Sequence, residues 1–172
     1  MYMQTEHHPY KPFIPDHVEV LILGSFPGKE QTQSETLHHK WIYGAPRNQF
    51  WKIINGVYAT DVQTMQEKQA LFASLHIGQA DIILKAKRAA NTNLDQNLEV
   101  IKWNDKALKK IVQSHPGIRI LCTSRFVEKH FKKLFPGFQN VQCLPSPSPR
   151  FATMSLAAKI EAYKLLLPKL KR

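Results

Sequence analysis

The sequence predicts an α/β protein, a parallel sheet with helices on both faces, and three observations carry that prediction. Short apolar runs of strand length recur at residues 18–23, 80–84, 118–122 and 141–144. Stretches with helical spacing fall between them. The runs empty into turns rich in Gly, Pro, Ser or Asn. Strands alternating with helices form parallel sheets because each crossover returns the chain to the same edge.

The run at 18–23 holds one charge and reads as a central strand buried on both faces. Phe50, Trp51, Ile53, Ile54 and Val57 recur with helical spacing, and 62–74 is a second, more polar helix. The strand at 80–84 leads into a basic, Asn-rich loop, KAKRAANTNLD, predicted to meet the first turn in space. Residues 103–114 form an amphipathic helix stopped by Pro116 and Gly117. Thr123 and Ser124 are natural starters of the basic helix that ends near Phe135, and Ser155 caps the last helix, SLAAKIEAYKLLL. Residues 1–16 carry three prolines and are predicted as a surface arm. With no internal repeat and no boundary signal, residues 1–172 are predicted to be one domain.

Composition narrows the function. Lysine and arginine number 24 against 13 acidic residues, a net charge of +11, which makes nucleic acid the first candidate partner. No apolar run approaches the roughly 20 residues that cross a bilayer. The opening segment resembles neither a signal nor a transit peptide, so a cytoplasmic monomer with no membrane partner is expected. Cys122 and Cys143 each lie in an apolar run and read as free thiols; two cysteines cannot hold a four-cysteine cluster. His7-His8 and His38-His39 lack zinc-ligand spacing and are predicted as exposed loop residues, so neither metal nor cofactor is expected.

Three segments carry the chemistry. The first turn, Gly24-Ser25-Phe26-Pro27-Gly28-Lys29, departs from a nucleotide-binding P-loop: its glycines are one position too close, and Glu30 stands where a Ser or Thr would hold magnesium. In the second, YGAPRNQFW, Asn48 reads equally as a helix cap or as an amide that positions water or a base edge. Tyr43 reads as a stacking platform or as a part-buried loop aromatic. The third, Leu144-Pro145-Ser146-Pro147-Ser148-Pro149-Arg150, is a connector or a stiff loop presenting hydroxyls and an Arg to a phosphate backbone.

These three segments, in this order and spacing, resemble the uracil-DNA glycosylase superfamily, most closely its hypoxanthine-DNA (deoxyinosine) glycosylase branch and next the mismatch-specific uracil glycosylases. The resemblance implies a three-layer α/β/α sandwich around a four-stranded parallel sheet, acting on a base flipped out of DNA. It implies that Asn48 is the catalytic residue, since Phe26 occupies the place of the catalytic Asn of the mismatch-specific relatives, and that Tyr43 stacks on the flipped base. Leu144 replaces the His or Asn that many relatives carry at the head of the last turn. Ala45 and Ser124 also depart from the family pattern, and the loop after residues 80–84 is longer and lacks the usual aromatic.

Cleaving an N-glycosidic bond builds oxocarbenium character on the sugar and negative charge on the leaving base. Positioning water and stabilising the base therefore dominate the chemistry. The expected site has Asn48 as positioner. Gly24, Ser25, Phe26, Pro27 and Tyr43 bind the base, and Lys87, Arg88, Ser146, Pro147, Ser148 and Arg150 hold DNA. Lys29 is the only lysine in the three segments, and nothing marks it as an amine nucleophile, so a monofunctional enzyme that excises hypoxanthine or uracil in base-excision repair is expected. The alternative is an inert nucleic-acid binder of the same fold.

Overall fold

A computed structural model describes residues 3–171. Its central sheet has four parallel strands in the order β3-β2-β6-β7: β2 (Val20–Gly24), β3 (Ile77–Asp81), β6 (Arg119–Cys122) and β7 (Val141–Cys143). In register, Leu23 lies beside Ala80 on one side and Cys122 on the other. All five residues of β2 are buried because both faces are covered.

Strand alternation divides the core. Val20 and Ile22 point to one layer, with α2 (Phe50–Tyr58), α3 (Met65–Ser74) and α6 (Leu156–Leu166); Leu21 and Leu23 point to the other, with α4 (Asp105–Ser114) and α5 (Arg125–Leu134). The result is the expected three-layer α/β/α sandwich. The helix signals act as expected: Ser124 accepts from Val127 N, Ser155 from Ala158 N, and Thr64 with Glu67 forms a capping box. That box starts α3 at Met65 and leaves Val62 outside the helix.

Three expectations are corrected. The run at 80–84 is not one strand. β3 ends at Asp81, the backbone turns at Ile82, whose N–H bonds Gly24 O, and β4 (Ile83–Arg88) departs into a second sheet. That sheet is antiparallel, in the order β1-β4-β5, with β1 (Thr5–His7) and β5 (Leu98–Trp103). Lys85–Arg88 is therefore strand and not loop: buried Ala86 and Arg88 alternate with the more exposed Lys85 and Lys87. Trp103 likewise ends a strand, and the helix after it starts at Asp105.

The N-terminal arm is part of the fold. From residue 3 onward it supplies edge strand β1, and Phe13 bridges to Gln79 of β3. Glu6 is buried against the Arg88 guanidinium at 2.9 Å, so an ion pair ties this strand to β4. Cys122 and Cys143 sit opposite one another on β6 and β7 as free thiols, Cys122 fully buried and Cys143 partly so.

Candidate active site

The carboxyl ends of β2, β3 and β6 open into a cleft of about 940 Å³. Its walls are the first turn, the segment around Tyr43 and Asn48, the loop at 91–95, the start of α5 and the Pro-rich loop. The segments that follow β2, β6 and β7 at one edge of the parallel sheet converge here, as parallel α/β sheets arrange their ligand sites, and the loop after β4 joins them. The loop after β4 meets the first turn as predicted: Lys29 N donates to Asn93 Oδ1 at 2.8 Å, and Asn93 Nδ2 donates to Glu30 at 3.1 Å.

Asn48 lies one residue before Gln49, the N-cap of α2, and lines the cleft. Its Oδ1 accepts from Phe50 N at 2.9 Å, which satisfies one of the free N–H groups at the start of α2. A backbone N–H demands oxygen, so this bond fixes the amide's orientation and leaves Nδ2 without a protein partner among the described residues. Asn48 lines the cleft, so that nitrogen is the donor it offers there.

Tyr43 stands on Phe50, with ring centroids 4.1 Å apart and planes inclined by 23°, and it too lines the cleft. Its φ of 53° turns the ring onto that support. The hydroxyl sits 3.4 Å from Thr123 Oγ1. Burial, with the Asp81 carboxylate adding to it, pushes the phenol well above its ordinary value, so it stays protonated. Gly24 lies beneath: a Cβ there would overlap both the Tyr43 hydroxyl and the Asp81 carboxylate. Gln31, fully buried, secures the same segment by donating to Trp41 O at 2.7 Å and accepting from Gly44 N at 3.1 Å.

Two carboxylates escaped the sequence reading. Asp95, in the loop after β4, accepts from Ser25 Oγ at 2.6 Å and more distantly from Ser124 Oγ at 3.5 Å. Burial raises its pKa and the Asp81 charge adds to the rise, while the hydrogen bond from Ser25 opposes it. Asp81 ends β3 as a buried member of the cleft lining. Its oxygens bond His8 Nε2 at 2.7 Å and Gln79 Nε2 at 2.8 Å. Because Tyr10 N donates to His8 Nδ1 at 3.1 Å, the proton of a neutral His8 sits on Nε2 and points at Asp81. His8 is thus not the exposed loop histidine expected. The signal for Asp95 was a lone carboxylate in an Asn-rich loop on the correct strand edge; for Asp81 and His8 there was none.

Ser25, Phe26 and Pro27 line the cleft as expected, as do Ser146, Pro147, Ser148 and Arg150. Phe26 packs edge-on against His8. Arg88 is corrected: it is buried, pairs with Glu6, and donates to Pro27 O and Thr92 O at 3.0 Å each. It braces the first turn against the loop that carries Asp95 and offers no free guanidinium to DNA. Lys87 lies on the second sheet and is not among the residues lining the cleft. Leu144 is buried in the core, so no imidazole or amide stands at the head of the last turn.

No family model matches the sequence. Two curated relatives do, both named hypoxanthine DNA glycosylase. The protein from Methanosarcina barkeri is 32% identical over 84 residues, which is 48% of this chain and 50% of that protein. The match therefore spans half the length of that relative. The protein from Methanosarcina acetivorans is 27% identical over 137 residues, 77% of this chain and 80% of that one. The fold matches a solution NMR structure of a candidate uracil DNA glycosylase from Methanosarcina acetivorans, with a TM-score of 0.71 and 19% identity over 95% of this chain and 99% of that one. The chain thus shares the four-stranded α/β/α fold of that structure and is similar in sequence to two hypoxanthine DNA glycosylases. These similarities agree with the resemblance to the hypoxanthine-DNA glycosylase branch carried by its three turns.

Proposed function

We propose that the protein is a monofunctional DNA glycosylase that hydrolyses the N-glycosidic bond of a deaminated base flipped out of DNA, with hypoxanthine the preferred base. The observation that carries the reading is a free amide donor, Asn48 Nδ2, and a half-buried carboxylate, Asp95, lining one cleft beside an aromatic ring backed by Phe50. The flipped base stacks on Tyr43. Asn48 Nδ2 donates to the base as its glycosidic bond lengthens. Asp95, ionised, orients a water toward C1′, takes its proton, and offsets the positive charge growing on the sugar. The C1′–N bond breaks with its electron pair on the base, which takes up one proton from solvent and leaves neutral, while the sugar gains the hydroxyl and Asp95 returns the water's proton to solvent.

Hypoxanthine is favoured over uracil on chemical grounds. Uracil leaves as an anion that needs a strong donor, whereas a purine can be protonated on its imidazole ring and leave neutral. Among the described residues no histidine lines the cleft, and three carboxylates, Glu30, Asp81 and Asp95, do. The names of the relatives support the same choice. Among the described residues Lys29 is the only lysine lining the cleft, and its Nζ donates to Asn91 O at 3.2 Å, so the described lining offers no free amine for lyase chemistry.

Labelled duplexes carrying hypoxanthine, uracil, xanthine or a mispaired thymine test this. Abasic product from the hypoxanthine duplex, with no covalent adduct trapped by borohydride, is the expected result. Binding without product from any of the four would overturn it in favour of an inert binder.

A further inference from the structure

The positive charge of this protein is not in its cleft. Three cations, Lys29, Arg47 and Arg150, line it against three carboxylates, Glu30, Asp81 and Asp95. Residues 102–135 instead hold nine lysines and arginines against Asp105 and Glu128, most of the chain's net +11. In the fold that segment is chiefly the helix layer of α4 and α5.

The two helices are neighbours in one layer, as His130 of α5 bonds Asp105 of α4 at 2.9 Å and both helices bury their apolar residues in the same core. Leu108 and Ile111 face inward from α4, and Val127 and Phe131 from α5. Helical spacing then turns Lys106, Lys109 and Lys110 outward from α4, and Lys129, Lys132 and Lys133 outward from α5. All six are exposed. Lys132 lies 3.5 Å from Glu128; the other five pair with no carboxylate among the described residues. Uncompensated cations repel one another, and a polyanion relieves that repulsion.

The layer adjoins the cleft. Ser124, the cap of α5, lines it, and Asn104, just before α4, donates to Asp81 O at 2.9 Å. Both helices thus begin at the cleft edge and run away from it for about 15 Å.

We infer that the outer face of α4 and α5 is a second nucleic-acid surface, which binds the sugar–phosphate backbone of duplex DNA beyond the extruded nucleotide and holds lesion-free duplex without reading its sequence. The inference rests on the reading of DNA as the partner. It assigns affinity to the helix layer and chemistry to the cleft.

The test substitutes Lys109, Lys110, Lys129 and Lys133 together by Gln in the full-length protein, and by Arg in a second variant. Binding to a lesion-free duplex is measured across salt concentrations, thermal melting confirms folding, and single-turnover cleavage of the hypoxanthine duplex is measured at saturating enzyme. The expected result is a log–log salt slope shallower by about 0.9 for each phosphate no longer neutralised, unchanged in the Arg variant, with the saturated cleavage rate unaltered in both. A folded Gln variant with wild-type affinity and slope would overturn the inference, even if cleavage is robust. If wild type cleaves no lesion but the Gln variant binds with a shallower slope, the glycosylase reading fails and the DNA surface stands.

Discussion

The Lys159 ammonium, on α6, lies 2.8 Å from Gln49 Oε1 and 3.1 Å from Ser148 O. Lys159 is 1% exposed and has no carboxylate partner among the described residues, and burial depresses its pKa. A lysine is costly to bury, and two carbonyl partners offset that cost only in part, so the link itself matters. It joins the segment carrying Asn48 to the Pro-rich loop, beside the backbone bond from Gln49 N to Pro147 O at 2.9 Å. Tyr163, one helical turn on, holds Pro145 O at 2.7 Å.

Lys159→Met keeps much of the apolar stem and removes the donor. The expected outcome is a loss of about 1.5 to 3 kcal/mol in chemical denaturation, the range for a hydrogen bond to a charged group. Single-turnover cleavage should fall with it, because two walls of the cleft lose their shared anchor. A stable variant with wild-type cleavage would show that the backbone bond alone sets the register of the two walls.

Asn48 separates capping from chemistry. Asn48→Asp retains the oxygen that caps Phe50 N and deletes the Nδ2 donor, so the protein should keep its melting temperature while cleavage falls sharply. Asn48→Ala removes both, with an expected cost of about 0.5 to 2 kcal/mol in stability. The loss in single-turnover rate should be about a hundredfold or more, while DNA binding is retained. Full activity in a folded Ala variant would remove Asn48 from the chemistry.

Gly24→Ala probes the floor. The added methyl meets the Tyr43 hydroxyl and the Asp81 carboxylate, and both side chains belong to buried networks with little room to move. The expected result is a folded but less stable protein whose affinity for lesion DNA drops more than its affinity for lesion-free DNA. Equal loss on both would indicate a purely structural glycine.

The parallel core and the three turns were legible in the sequence because they rest on local signals: apolar runs of strand length, Ser and Thr caps, and glycines or prolines at strand ends. The second sheet was not. Its strands, such as KAKR within β4, expose charges on one face, and only tertiary pairing with residues 5–7 shows which face is buried. Arg88 eluded the sequence for the same reason, since its partner Glu6 is 82 residues away. Asn48 and Tyr43 lie on the cleft because local backbone turns put them there, whereas Asp81 and His8 depend on an arm docking 73 residues from its partner.

Asp95 provides a pH test in which activity and stability move oppositely. Its raised pKa means that the folded protein holds this proton more tightly than the unfolded chain does. Below the ordinary Asp value of 3.8 both states are protonated and the residue is neutral in effect; as pH rises past that value the unfolded chain ionises first, and the folded state loses stability until Asp95 itself ionises. Asp95→Asn should therefore melt at a higher temperature than wild type at neutral pH, with the gain vanishing in strong acid. Cleavage needs the carboxylate, so the wild-type rate should fall as pH drops through the raised pKa, giving an acid limb above the usual Asp range. In Asp95→Asn the rate should be low and the limb absent. A variant that cleaves like wild type, with the same acid limb, would assign water activation to another group, Asp81 being the buried carboxylate of the cleft.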